Sequence, residues 1–185
     1  MSETQRPYPK KRDMRVYTDT FQLSEIARME FALPVWRDPP PFDIEGRTDF
    51  LQSVIDQRAL VTITVWNRAG SPGEPNLVIL DGAQRMHALG ATIREGHRYR
   101  QSEGPYFDLA QCCWVTEPRP TAFLEFRHFA HLTGLTWLRK SLEESGWYDL
   151  YEDARDLITG QKVVACMVES TDELCVRNLN IGVRK

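Results

Sequence analysis

The stretch Leu77–Thr92, LVILDGAQRMHALGAT, holds the residues best suited to chemistry. Its apolar run Leu77–Leu80 reads as a buried strand that turns sharply at Gly82 into a helix. That helix is predicted to run to about Ile93, with Met86, Leu89 and Ile93 on its buried face. A helix start leaves backbone N–H groups free, and its dipole attracts anions. Gly82 lets the backbone approach a bound group. Arg85 can fork onto phosphate oxygens, and Gln84 adds an amide that donates or accepts. The pattern therefore fits a phosphate site. It also fits a helix start with no ligand, because Asp81 and Gln84 have the spacing of a capping box. That simpler reading leaves Arg85 over, since a cation near a helix N-terminus is disfavoured by roughly a few tenths of a kcal/mol unless an anion offsets it. Asp81 could be that anion.

Other elements must hold this turn in place. Phe21–Met29 predicts a short helix with Leu23 and Ile26 on one face. Phe31–Arg37 leads into Pro39, Pro40 and Pro41, a rigid extended loop, since three prolines suit neither a helix nor a central strand. Thr48 is the expected cap of a helix to about Arg58 whose apolar stripe is Phe50, Leu51, Val54 and Ile55. Val61–Trp66 is β-branched and alternating, a strand. Asn67–Asn76 and Gly96–Gly104 read as loops. A strand is expected around Cys112–Val115, then a break at Glu117–Pro120. Three helices follow, over about Thr121–Leu132, Thr136–Ser145 and Tyr148–Ile158, with Gly146 and Gly160 as stops for the last two. Lys162–Val168 reads as a strand, and Thr171 as the cap of a final short helix with Asp172 and Glu173 in its first turn. The result is an α+β chain with its helices grouped late.

The 185 residues suit one domain, read as residues 19–185, preceded by a basic flexible arm over 1–18. Hydrophobic residues at 42% and charged residues at 26% fit a globular chain with a core of its own. No apolar run is long enough to span a membrane, and Met1–Arg15 lacks the apolar core of a secretory signal. The net charge of −3 is uneven. Residues 1–15 carry five basic side chains (Arg6, Lys10, Lys11, Arg12, Arg15) against Glu3 and Asp13, so the arm is +3 and the rest −6. Such an arm could touch a nucleic-acid backbone or simply be solvated. Cys112, Cys113, Cys166 and Cys175 include no C-x-x-C pair, which argues against a disulfide framework or a zinc site. Cys112 and Cys166 lie in apolar contexts and read as buried thiols, in keeping with a reducing cytoplasm. His128 and His131, spaced i, i+3, share a helix face, but with no acidic or cysteine ligand read at a helpful spacing they are expected as surface or half-buried histidines ahead of a metal site. The five tryptophans read as packing residues. P-loop, H-N-H and G-x-S-x-G patterns are absent.

Asp81-Gly82-Ala83-Gln84-Arg85, followed by Met86-His87-Ala88-Leu89, resembles the Asp-Gly-Gln-Gln-Arg-Leu-x-x-Leu signature of a ParB/sulfiredoxin-like family. This is the family of the domain found in GmrSD-type, modification-dependent restriction systems. Leu33-Pro34-Val35-Trp36-Arg37 resembles the family's Ile-Pro-x-Phe-Gln-Arg segment, Phe50–Ile55 its Leu-Ile-x-Ser-Ile helix, and Leu179-Asn180-Ile181-Gly182 its Arg-Leu-Asn-x-Gly turn. The chain departs from the signature at Ala83, where the family has Gln. The resemblance implies an α+β fold with a mixed sheet, a strand–turn–helix motif and a late helical segment. It also implies nucleotide chemistry: a nucleoside triphosphate with Mg2+, bound or hydrolysed, as in related members. In that scheme Asp81 orients a water or the magnesium ion, while Gln84 and Arg85 hold phosphates. Gly82, Ala83, Arg37, His87 and Asn180 line the same pocket. The setting implied is restriction–modification, phage defence or DNA maintenance, with a separate nuclease subunit and DNA as partners. Sulfiredoxin relatives use a cysteine at this turn, where this chain has Ala83 and Gln84, so their chemistry is not expected. A competing expectation is a non-enzymatic, DNA-associated or regulatory module whose motif survives for capping and partner contact. A third is a structural member with no ligand.

Overall fold

The computed structural model describes residues 14–26, 28–34, 36, 42–58, 60–68, 76–89, 92–94, 104–130, 136–170 and 172–179. The chain opens with strand β1 (Arg15–Gln22), a single turn α1 (Leu23–Ile26), β2 (Glu30–Ala32), helix α2 (Ile44–Ile55) and β3 (Val61–Asn67). The motif follows as β4 (Leu77–Asp81) and α3 (Ala83–Ala88), then β5 (Thr92–Arg94). Three short strands, β6 (Tyr106–Asp108), β7 (Cys113–Val115) and β8 (Ala122–Glu125), precede helices α4 (Phe126–Ala130), α5 (Thr136–Ser145) and α6 (Tyr148–Thr159). Strand β9 (Lys162–Glu169) and helix α7 (Glu173–Arg177) close the described chain. The fold is α+β.

Six strands form a mixed sheet in the order β1-β9-β3-β4-β2-β5. The β9–β3, β4–β2 and β2–β5 pairs are parallel, and the β1–β9 and β3–β4 pairs antiparallel. The two-residue period of a strand sends alternate side chains to opposite faces. Val61, Ile63 and Val65 of β3, Val163, Ala165 and Met167 of β9 and Ile79 of β4 thus share the main core. Leu51 and Val54 of α2, Met86 of α3, Leu138 and Leu142 of α5, and Tyr151 and Ile158 of α6 cover them. The small antiparallel sheet β7-β6-β8 joins this core through Phe107, Trp114 and Leu124. Trp66, Val78, Leu80 and Val168 turn to the other face, where Val176 of α7 and the half-buried Leu179 cover them. Each fully buried large apolar side chain contributes about 1.5–3 kcal/mol, so the fold needs no covalent staple, and all four cysteines are free thiols. Among the described residues no helix is long and apolar enough to cross a membrane.

Several expectations are corrected. Residues 15–18 are not arm: they begin β1, which pairs with β9 at every position from Arg15↔Glu169 to Gln22↔Lys162. The expected helix over Phe21–Met29 shrinks to α1, whose Leu23 and Ile26 are both buried, because Phe21 and Gln22 complete β1. The cap of α2 is Asp43, whose carboxylate accepts from Gly46 N–H at 2.7 Å, and Thr48 lies inside the helix with its hydroxyl donating to the Ile44 carbonyl. Helix α3 ends at Ala88, and Ile93 belongs to β5, where the β-branched pair Thr92-Ile93 suits a strand. The expected helix over Thr121–Leu132 starts as strand β8, with Ala122 and Leu124 buried at a spacing of two, and becomes helical only at Phe126. Cys112 is exposed, in a left-handed turn (φ 51°) ahead of β7, and Cys166 is half-buried. The cap of α7 is Asp172, which accepts from Leu174 N–H at 2.9 Å; Thr171 lies outside the described residues. Residues 1–13, the prolines at 39–41 and His131 also lie outside them.

Candidate functional site

The site is built from the end of β4. The β3–β4 register shifts between Thr64 and Val65: Val65 opposes Ile79 but Thr64 opposes Asp81, leaving Leu80 as an extra residue on β4. Such a bulge re-aims the side chains that follow it. Here it sets Asp81 opposite Thr64, on the strand face that also carries Thr62. The next residue, Gly82, takes φ 89°, a left-handed conformation that costs other residues dearly. A Cβ there would stand 2.9 Å from Ile63 Cγ2 and 3.2 Å from the Thr62 carbonyl. Gly82 is also the N-cap of α3, so the capping box does not form as expected: the N-cap residue has no side chain, and Asp81 sits one residue too early.

Burial of Ala83, Met86 and Leu89 fixes the rotation of α3 and leaves Arg85 on its outer side. The guanidinium joins two strands there. Its Nη2 lies 3.0 Å from Asp81 Oδ2, and its Nη1 donates to Thr62 Oγ1 at 2.9 Å. Asp81 thus supplies the anion that an arginine near a helix start requires. With side-chain exposures of 28% for Arg85 and 48% for Asp81, the pair is screened and contributes about 0.5 kcal/mol. Among the described residues these two contacts use two of the five guanidinium N–H donors. Helix α3 has only six residues, so its dipole adds little, and the attraction for an anion rests on Arg85.

The other expected site residues are placed as follows. Ala83 turns its methyl into the core, leaving only its backbone to face a ligand. Gln84 and His87 are half-buried, and both ring nitrogens of His87 are out of contact with solvent. Arg37 and Asn180 lie outside the described residues. The Arg177 guanidinium stands over the Trp36 ring at 4.3 Å, and Leu179 packs on the small core beneath α7 together with Leu80, the residue before Asp81. Strand β4, the segment after β2 and the end of α7 are thereby gathered at one face of the sheet. Thr62 is the member that sequence reasoning missed. Its only signal is to be polar on the same strand face as Thr64, and nothing local connects it to Arg85.

Two groups elsewhere are electrostatically notable. His128 accepts from the Glu125 N–H through Nδ1 at 2.9 Å; burial, then the Arg127 charge, holds its pKa below the usual value despite Glu125. Arg47, buried on α2, is also lowered by burial, with Glu125 of β8 acting against it. Among the described residues no three of His, Cys, Asp and Glu gather as a metal-holding group. Comparison with family models, with curated proteins and with solved structures finds no match to this chain.

Proposed function

We propose that the turn Asp81–Arg85 binds the phosphates of a nucleoside triphosphate. The observation that carries this reading is the position of Arg85, held between Asp81 and Thr62 at the end of a bulged strand with donors to spare. A guanidinium oriented in this way offers a planar fork to phosphate oxygens at little further ordering cost. The resemblance of Asp81–Leu89 to the ParB/sulfiredoxin-like signature supports the same assignment, and it makes a mixed-sheet member of that family the finer reading of the fold. Gln84 stands one residue before Arg85 as an additional amide. Gly82 and Ala83 contribute backbone and His87 borders the ligand, and the resemblance would add Arg37 and Asn180, which lie outside the described residues. Magnesium fits as the nucleotide's companion, because it is commonly held by one or two carboxylates together with phosphate oxygens, and Asp81 is the half-exposed carboxylate at this turn. The biological setting of this reading is DNA defence or maintenance in the cytoplasm, beside a nuclease partner.

Thermal unfolding with and without nucleoside triphosphate and Mg2+ tests the proposal. Ligand at about 100 times its Kd stabilises the folded chain by roughly 2.7 kcal/mol. Arg85→Ala is expected to remove that stabilisation while changing the ligand-free midpoint little. A midpoint that no nucleotide moves, or that moves equally in Arg85→Ala, overturns it. Release of inorganic phosphate from each common nucleoside triphosphate then separates binding from hydrolysis.

A further inference from the structure

The six-stranded sheet ends on β1, and among the described residues nothing pairs with that strand's outer edge. Proteins usually disarm such an edge by shortness, a bulge, a proline or charged side chains, lysine above all. Strand β1 has no bulge, proline or lysine, and its two charges are of opposite sign. It runs for eight residues, RVYTDTFQ, pairs with β9 without a register shift, and is exposed at every position except Phe21. Met14, Val16 and Tyr17 add exposed apolar surface, with Val16 at 55%. The strand's only charges, Arg15 and Asp19, have opposite signs and lie two residues either side of Tyr17.

That symmetry identifies the occupant. We propose that β1 is a homodimer interface, in which the β1 strands of two copies pair antiparallel about a two-fold axis at Tyr17. In this register Arg15 faces Asp19 of the second copy, Asp19 faces its Arg15, and Val16 faces its Thr18. Opposite charges and β-branched pairs directly across an antiparallel ladder are the favourable combinations. Moving the axis one residue, to Thr18, would set Arg15 against Phe21 and Asp19 against Tyr17, losing both ion pairs. The interface is isologous and closes on itself. It joins the two six-stranded sheets into one continuous sheet and pairs outward N–H and C=O groups of both edges over residues 14–20.

The test is the mass of the full chain in solution, by sedimentation equilibrium over a concentration series. Wild type is expected to reach the dimer mass. Arg15→Asp and Asp19→Arg are each expected to lose it, because like charges then face each other. An equimolar mixture of the two variants is expected to restore it, since every facing pair is again of opposite sign. Both positions are exposed, and far-UV circular dichroism checks that each variant keeps the fold. A wild type that stays monomeric at all concentrations overturns the proposal. So does a dimer indifferent to both reversals, or a mixture that associates no better than its components.

Discussion

At the scale of single residues, Gly82 shapes the turn and Arg85 gives it its charge. Gly82→Ala would force an alanine to φ 89° and push its methyl against Ile63 and the Thr62 carbonyl. It is expected to cost about 1–3 kcal/mol, read as a lower urea midpoint; an unchanged midpoint would mean that the turn can open freely. Arg85→Ala should be nearly silent in that measurement, since the screened pair with Asp81 contributes little, which leaves its ligand response interpretable. His128 makes a pH prediction. Its folded-state pKa is lowered, so the unfolded chain binds more protons, and this contribution to stability is present above about pH 6.5 and is lost as pH falls through the folded value. His128→Gln should therefore flatten the decline in stability between neutral and mildly acidic pH, and equal slopes in the two proteins would refute this. Cys112 shows why context must be read in space. The apolar sequence around it predicts burial, yet the residue is exposed; partial desolvation of its thiol, then the Asp56 charge, raises its pKa. Alkylation at neutral pH should be slower than for a free cysteine thiol.

At the scale of elements, α7 has an effect out of proportion to its five residues. Val176 is its buried contact with the small core formed by Trp66, Val78, Leu80 and Val168. Val176→Ala is expected to cost about 1–3 kcal/mol through lost burial and an unfilled space. An unchanged denaturant slope would show that the rest of the fold is retained. Elements with strong internal periodicity were legible in the chain: β3, β4, α5, α6 and β9 stand within a residue or two of where their patterns place them. The three-residue strands β2, β5 and β6 were not. A strand that short carries no period, and β2 exists because Phe31 and Ala32 find Leu77 and Val78 on one side and Ile93 and Arg94 on the other. Strand β8 was hidden differently: Phe123, Phe126 and Ala130 also fit a helical stripe, and only pairing with β6 selects the extended form for Ala122–Glu125.

At the scale of the whole molecule, charge and assembly come forward. The basic excess lies ahead of β1, so deletion of that segment tests its part in any interaction with DNA. Removing residues 1–13 keeps Arg15 and all the residues that form the β1–β9 ladder. If that segment contacts phosphates, DNA affinity in a salt series should fall with a slope of roughly 0.9 per contact, and the deletion should flatten it. A slope that survives deletion would move the contacts elsewhere. By itself the chain specified the strand, the sharp turn and a cation four residues beyond an aspartate, because hydrophobic period, glycine's conformational range and helix spacing all act within a few residues. Only the tertiary structure decided that a bulge aims Asp81 to the side of Thr62, that Thr62 joins Arg85 from another strand, and that α7 closes the face beside them. Those facts depend on register and on contacts between distant segments, which are set by how the whole sheet shares its hydrogen bonds and its buried surface.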